Sequence, residues 1–314
     1  MRKVGMVGLG RMGSVMARRL VDDGWQLWVH NRTPERAAPI LERGATWAPD
    51  PRTLASEVDV ALTMVADDHA LCSVVLGETG LFEGAHPGLI YVDMSTVSVT
   101  ASKTVADAAS AAGIEYLRAP VTGSTRLAES GALGLLVSGP ERALEEVRDL
   151  FAVLGKTVFY LGREDQARVM KLALNLLVAH TVAGLGEALA FGACSGLSWN
   201  DMLDVFCDSA VASPLVQYKA PGLKARDFTA AFSTEMMAKD LDIALSQARA
   251  AGASMPLTAL SRELLQAAEA FGWGNDDFSS VALLFEQLSR VPRPSPSGDG
   301  RRSGAEGTQD NAGG

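Results

Sequence analysis

Lys171 is the side chain of this 314-residue sequence whose type and position most clearly suggest chemistry. It lies near the start of Asp165–Cys194, a proline-free stretch rich in Leu, Val and Ala that predicts one long helix buried on most sides. A lysine on the buried side of such a helix is costly unless it has a function. Partial desolvation lowers the pKa of its ammonium group towards the range useful for acid–base catalysis. The alternative is a lysine that extends from the helix into water.

A second set of residues could bind a dinucleotide. Gly8, Gly10 and Gly13 form a GxGxxG pattern between a predicted strand, Lys3–Val7, and a predicted helix. Gly8 permits a tight turn, Gly10 lets a pyrophosphate approach the backbone, and Gly13 lets the helix pack on the strand. The helix N-terminus then faces the phosphates. The alternative is a glycine-rich turn without a ligand.

The end of the second predicted strand, Gln26–His30, bears on the choice of dinucleotide. NAD sites usually carry an acidic residue there, which binds the ribose hydroxyls. This sequence has Asn31, Arg32 and Thr33 instead. Arg32 can pair with a 2′-phosphate, and its two neighbours can hydrogen-bond to it. The sequence therefore predicts NADP in preference to NAD, the alternative being a solvated arginine.

With such a cofactor, reduction of a carbonyl needs a group that stabilises or protonates the developing alkoxide. Asn175 lies one turn after Lys171 on the same helix face. The histidines are weaker candidates, because His180 is more than two turns further along and the others end a strand or lie in loops. These others are His30, His69 and His86. The three cysteines are odd in number and widely spaced, so neither a disulfide framework nor a zinc site is predicted.

The elements that position these residues form two domains. Short β-branched runs alternate with helical segments up to Gly162, which predicts a doubly wound, Rossmann-type α/β domain over residues 1–162. Helical spacing alone follows, which predicts an all-helical domain over residues 163–291. Residues 292–314 are predicted to be a disordered tail. Further strands are predicted at Val58–Val65, Leu89–Asp93, Glu115–Arg118, Leu133–Ser138 and Thr157–Tyr160, and helices at Ser98–Ala112, Glu141–Leu154, Trp199–Ser209, Thr234–Ala251, Pro256–Phe271 and Asp277–Arg290.

Composition excludes some classes of partner. The formal net charge of -9, without a dense basic patch, argues against nucleic acid and requires a few local cations at any site for an anionic substrate. The N-terminal run is expected to be a strand rather than a signal peptide, and the cysteine usage suggests the cytoplasm. The charge-free run Leu172–Gly186 is expected to be too short for a membrane span.

Several segments resemble motifs of the β-hydroxyacid dehydrogenase family, the relatives of 3-hydroxyisobutyrate dehydrogenase and of the glyoxylate/succinic semialdehyde reductases. They are GLGRMGSVMARRL at Gly8–Leu20, DMST at Asp93–Thr96, APVTGS at Ala119–Ser124, MKLALN at Met170–Asn175 and KDL at Lys239–Leu241. The resemblance implies an NADP-dependent dehydrogenase or reductase. Such an enzyme interconverts a small β- or γ-hydroxy acid and its aldehyde or keto acid, of the 3-hydroxyisobutyrate, glyoxylate or succinic semialdehyde type.

The resemblance also implies residue roles. Lys171 would be the general acid/base, and Asn175 would orient the substrate or the lysine. Ser95 and the turn Thr122-Gly123-Ser124 would bind the substrate carboxylate, although Ser and Thr also satisfy turns without any ligand. Lys239 would close over the nicotinamide end and bind the substrate by adding local positive charge. The cofactor-binding residues would be Gly8, Leu9, Gly10, Arg11, Met12, Asn31, Arg32, Thr33, Met64, Val65, Thr96 and Lys239.

Some positions depart from the family pattern. Arg118 stands where many members have an acid, Thr122 replaces a serine, and Ser124 replaces a glycine. Whether Arg118 or Arg126 contacts substrate is left open.

The alternative functions are imine reduction, whose enzymes generally lack the lysine, and a non-catalytic NADPH-binding module. Because a two-domain monomer would leave part of the long helix exposed, a homodimer or homotetramer is predicted.

Overall fold

The computed structural model describes residues 3–291, and it confirms a Rossmann-type α/β domain followed by a helical one. The strands are β1 (Lys3–Val7), β2 (Gln26–His30), β3 (Thr46–Trp47), β4 (Val60–Thr63), β5 (Ile90–Asp93), β6 (Glu115–Arg118), β7 (Val121–Thr122), β8 (Leu133–Val137) and β9 (Gly155–Tyr160). The helices of this domain are α1 (Arg11–Asp22), α2 (Ala38–Leu41), α3 (Pro51–Glu57), α4 (Asp68–Leu76), α5 (Val99–Ala111), α6 (Thr125–Glu129), α7 (Glu141–Glu146) and α8 (Arg148–Leu154). The predicted tail, residues 292–314, lies outside the described residues.

Six strands form one parallel sheet in the order β3-β2-β1-β4-β5-β6. Every residue of β4 and β5 is buried, because helices cover both faces of the sheet. Helices α1 and α8 pack in the apolar core on one face, and α3, α4 and α5 pack in the core on the other. The strand order reverses between β1 and β4, which is where ligands bind in open parallel sheets.

The last predicted strands do not extend this sheet. β7, β8 and β9 form a separate three-stranded sheet, in which β7 is antiparallel to β8 and β8 is parallel to β9. An isolated bridge between Arg118 and Ser138 joins the two sheets. The predicted helix Glu141–Leu154 is divided at Val147 into α7 and α8. β7 begins shortly after β6 ends, and both pair with the segment Leu133–Ser138, so β7 continues the course of β6 beyond the first sheet.

The helical domain is built on a 29-residue helix. Its helices are α9 (Gln166–Cys194), α10 (Trp199–Asp208), α11 (Pro214–Ala225), α12 (Thr234–Ala251), α13 (Pro256–Ala270) and α14 (Val281–Ser289). Helices α10 to α14 all pack against α9. The sequence did not predict α11, because Pro221 lies inside it and suggests a loop.

Helix α9 is the one helix of residues 3–291 that is long and apolar enough to cross a membrane, with a mean hydropathy of 1.5. The charge-free run Leu172–Gly186 is only part of α9, which extends beyond it at both ends. The sequence-based count stopped at the charged residues, whereas an 18-residue window that admits two of them still qualifies. The core helix of a soluble protein can have the same length and composition, and five helices, α10 to α14, pack against α9.

Candidate active site

The glycine loop has the geometry that its spacing predicts. Gly8 has φ +99°, and a Cβ there would lie 2.3 Å from the carbonyl oxygen of Met64. A Cβ at Gly13 would lie 2.0 Å from the carbonyl oxygen of Gly8, so only glycine allows α1 to approach β1 this closely. At Gly10, by contrast, a Cβ would meet nothing within 4 Å. The space beside the N-terminus of α1 is therefore open to a phosphate.

The predicted cofactor residues cluster around this loop. Leu9, Arg11 and Met12 belong to the loop or to the first turn of α1, whereas Met64 and Val65 follow the adjacent strand β4. A groove of about 520 Å³ adjoins the loop. Its lining residues are Leu9, Gly10, Arg11, Ser14, Val15, Arg18, Arg36, Pro39, Ile40 and Arg43. Of the four arginines in this lining, Arg18 and Arg43 pair with Glu129 and Asp22, so the charges of Arg11 and Arg36 remain to favour an anionic ligand.

Asn31 fastens the glycine loop to the end of β2. Its Oδ1 accepts a hydrogen bond from the Leu9 N–H at 2.8 Å, and its Nδ2 donates to the Thr33 carbonyl oxygen at 2.8 Å. Only one amide hydrogen is then left for a cofactor phosphate. Arg32 is exposed and forms no ion pair with residues 3–291, so its guanidinium is available. Sequence reasoning missed Arg36, although a basic residue four positions after Arg32 was a usable signal.

The second half of the site surrounds the buried carboxylate of Asp240 on α12. Asn175 Nδ2 donates to Asp240 Oδ2 at 2.5 Å, and Lys239 Nζ lies 2.9 Å from Asp240 Oδ1. Lys239 Nζ also donates to the Thr96 carbonyl oxygen at 2.7 Å, which joins α12 to the loop after β5. The structure thus brings together three predicted residues from distant segments. It adds Asp240, to which sequence reasoning gave no role although it lies within the KDL motif.

Lys171 lies beside this group and is partly buried. Burial lowers the pKa of its ammonium group; the negative charge of Asp240 opposes this effect, and the positive charge of Lys239 adds to it. The side chain of Lys171 forms neither a hydrogen bond nor an ion pair with residues 3–291. Its protons therefore remain available to a ligand oxygen, at a pKa below the ordinary lysine value.

The predicted substrate loops are only partly free to bind a ligand. The buried Ser95 hydroxyl donates to Asp93 Oδ1 at 2.6 Å and accepts from the Val65 N–H at 2.9 Å. Ser124 caps α6, where its side chain accepts from the Leu127 N–H. Thr122 is partly buried at the end of β7, and the following Gly123 is exposed with φ +130°. Substrate binding by these residues stays a prediction. The turn after β7 has more groups available for it than Ser95, whose hydroxyl is already hydrogen-bonded.

The structure separates the two arginines whose role the sequence left open. Arg118 is 7% exposed, donates from Nε to Asp165 Oδ1 at 3.1 Å, and lies with Cζ 4.3 Å from the centroid of the Tyr116 ring. Its guanidinium is therefore held by the protein. Arg126 is exposed on α6 and forms no ion pair with residues 3–291. Sequence reasoning also missed Arg168, which is buried one turn before Lys171.

Comparisons with known proteins agree with this two-part site. Residues 3–162 match a family model described as the NAD binding domain of 6-phosphogluconate dehydrogenase. Residues 166–285 match a model described as the NAD-binding domain of NADP-dependent 3-hydroxyisobutyrate dehydrogenase. Over 89% of its length the chain is 33% identical to glyoxylate/succinic semialdehyde reductase 1 of Arabidopsis thaliana, of which it covers 96%.

Two solved structures are similar over most of the chain. The crystal structure of 3-hydroxyisobutyrate dehydrogenase from Salmonella typhimurium has a TM-score of 0.84 at 26% identity, covering 90% of this chain and 100% of that one. The structure of Psf3 in complex with NADP+ and 2-OPP has a TM-score of 0.83 at 28% identity, covering 90% and 99%. The similarity therefore extends across both domains.

Proposed function

This chain belongs to the β-hydroxyacid dehydrogenase family of NAD(P)-binding oxidoreductases, and we propose that it uses NADP(H) to interconvert a small aldehyde acid and the matching β- or γ-hydroxy acid. The observation that carries this proposal is Lys171. Its ammonium group has a lowered pKa, is partly buried and has no partner among residues 3–291. A lysine in that condition can give a proton to an oxygen and take it back.

The residues present fit a phosphorylated dinucleotide. The open space at Gly10 and the N-terminus of α1 suit the pyrophosphate, and the exposed Arg32 suits a 2′-phosphate. Arg36 in the adjoining groove adds positive charge. When bound, NADPH supplies the hydride. The preference for NADP over NAD rests on Arg32 and on Asn31 standing directly after β2, where an NAD site usually has an acidic residue.

The protein's part in the reaction is to hold the substrate and to move one proton. In reduction, Lys171 Nζ donates a proton to the substrate oxygen as the alkoxide develops; in oxidation, it accepts the proton of the hydroxyl. Asn175 and Asp240 hold each other at 2.5 Å, which fixes the helix face beside the lysine. The backbone N–H groups of the turn after β7 and the charge of Lys239 bind the substrate carboxylate.

The chemistry is tested by mixing the purified chain with NADPH and a panel of glyoxylate, succinic semialdehyde and cyclic imines while following nicotinamide absorbance. The proposal expects turnover with an aldehyde acid and a lower rate with NADH. Turnover with imines alone would replace it with imine reduction. Tight NADPH binding without turnover on any compound would indicate a non-catalytic module. The cytoplasmic location stays a prediction that this assay does not address.

We further propose that the chain forms a homodimer or homotetramer through α9. Much of this helix faces outward, since only 33% of its most apolar window is buried. Its exposed stripe carries Met170, Leu177 and Phe191, which are 41%, 65% and 75% exposed. These residues are seven apart and then fourteen apart, so they lie close to one helix face. A second copy that presents the same stripe would cover it.

Sedimentation of the wild-type chain and of Leu177→Glu measures the assembly. The wild type is expected to sediment as a dimer or tetramer, and the variant as a smaller species because its carboxylate would be buried in the interface. Glu187→Gln on the same helix is the matched control. A wild-type monomer would contradict the assembly without affecting the proposed chemistry.

A further inference from the structure

A buried polar network fastens the first turn of α9 to the α/β domain. Arg168 lies three residues before Lys171, is 1% exposed, and pairs with the carboxylate of Asp93 at the end of β5. Its Nη1 donates to the Ser95 carbonyl oxygen at 2.6 Å, and its Nη2 donates to the Tyr116 hydroxyl at 2.9 Å. One guanidinium therefore joins the lysine helix to the loop that follows β5.

A second ion pair fastens the residue just before the helix. Asp165 occupies the N-cap position of α9, but its side chain does not cap the helix. Its Oδ1 accepts instead from Arg118 Nε at 3.1 Å and from Ser102 Oγ at 2.6 Å. Because Ser102 gives its one hydroxyl proton to Asp165, the Tyr116 hydroxyl must be the donor in the 3.1 Å contact between Tyr116 and Ser102. The tyrosine and serine hydroxyls thereby link the two ion pairs.

A buried ion-pair network contributes little to the free energy of unfolding by itself. Two charges lose their hydration on burial, and apolar side chains of similar volume are often as stabilising. Burial opposes the charge of Arg168, but Tyr116 and Asp93 raise the pKa of the guanidinium above its ordinary value by more, so the charge persists. A guanidinium contributes geometric specificity, since its planar set of donors can bond to several acceptors in one arrangement only.

We propose that Arg168 is a positioning residue, which fixes the helix turn of Lys171 against the loop of Ser95 and so determines where the lysine meets the substrate oxygen. Its effect on turnover rests on the proposed function. The loop is held from the other side as well, because Thr96 accepts the hydrogen bond from Lys239. A misplacement of about 1 Å between reacting groups costs on the order of 10²-fold in rate.

The test compares three variants of the full chain. Arg168→Met with Asp93→Asn removes both charges together, so that no unpaired charge is left buried. Arg168→Lys keeps the charge but loses the planar set of donors, and it serves if the first variant does not fold. Arg226→Met with Glu286→Gln is the matched control, because this pair is bidentate, at 2.9 and 2.6 Å, but joins two parts of the helical domain.

The first readout does not depend on turnover. Trace acetylation of Lys171 with acetic anhydride at a series of pH values, measured by mass spectrometry, gives the pKa of its ammonium group. The charged groups that act on it are Asp240 and Lys239 of α12, so that a change on removing Arg168 reports displacement of the lysine. The pKa is expected to rise towards the ordinary lysine value in both Arg168 variants and to stay unchanged in the control.

The second readout is turnover on the aldehyde acid that the wild type reduces. We expect kcat to fall by about 10²-fold in the double variant and by less in Arg168→Lys, with NADPH affinity unchanged. Arg168 variants with the wild-type labelling profile, or a control with the same shift, would overturn the proposal. A wild-type chain that turns over none of the compounds would refute the proposed function, while the labelling still decides the role of Arg168.

Discussion

At the glycine loop, the groups that would meet a cofactor are backbone N–H groups of one continuous segment. At Lys171 the site is built from side chains of α9 and α12, which a backbone carbonyl joins to the loop after β5. The first region depends on the absence of side-chain atoms at Gly8 and Gly13. The second depends on the charges of Lys171, Lys239 and Asp240, which come from two helices. Binding and proton transfer should therefore fail separately, and substitutions can separate them.

The largest expected effect is at Lys171. Lys171→Met keeps the length of the side chain but removes the proton donor, so kcat should fall by about 10²–10⁴-fold, the usual contribution of acid–base catalysis. NADPH affinity, measured by fluorescence titration, should change little because the glycine loop is untouched. Activity within roughly tenfold of the wild type would remove the lysine from the mechanism.

Substitutions in the glycine loop should instead weaken NADPH binding. In Gly10→Ala the new methyl group meets no protein atom within 4 Å, so the melting temperature should stay near that of the wild type while NADPH binding weakens. In Gly13→Ala the methyl group would lie 2.0 Å from the Gly8 carbonyl oxygen, so the melting temperature and the NADPH affinity should both fall. Equal NADPH affinity in Gly10→Ala and the wild type would argue against a pyrophosphate at this position.

A smaller and more selective effect is expected at Arg32. Arg32→Ala should weaken NADPH binding by roughly tenfold or more, the worth of a hydrogen-bonded charge, and should leave NADH binding almost unchanged. Arg43→Ala is the control, since Arg43 lines the same groove but pairs with Asp22 at 2.7 Å. Equal losses for the two cofactors would contradict the assignment of the 2′-phosphate.

The smallest effects are shifts in pH dependence. Reduction needs the protonated form of Lys171, so kcat for reduction should decline as the pH rises through a pKa that lies below the ordinary lysine value. Asp240 raises this pKa and Lys239 lowers it. Asp240→Asn should therefore move the decline to lower pH, and Lys239→Met should move it to higher pH. Shifts in the same direction would show that the two charges do not act on the lysine in this way.

The glycine loop and the lysine site also differ in how much of each could be predicted from the sequence. The glycine loop, the first strands and Lys171 were accessible because each signal lies within a few consecutive residues. Asp240 was missed because its role depends on Asn175, 65 residues earlier. Arg168 was missed because an arginine near the start of an apolar helix suggests a solvated end, and only the tertiary fold places Asp93 opposite it. Strand pairing in the second sheet likewise depends on tertiary contacts.

The continuity of α9 limits how the cleft between the two domains can open. The connection between the domains, residues 161–165, cannot serve as a free hinge. Asp165 is fixed to Arg118 by a largely buried ion pair, and Arg168 is fixed to Asp93 by a fully buried one. The contacts that can part are more exposed. Lys239 bonds the Thr96 carbonyl oxygen, and Arg11 bonds the Ala230 carbonyl oxygen at 2.6 Å. Substrate entry would therefore break these two side-chain contacts, while Asp240 stays bonded to Asn175, α12 stays packed against α9, and the lysine keeps its place.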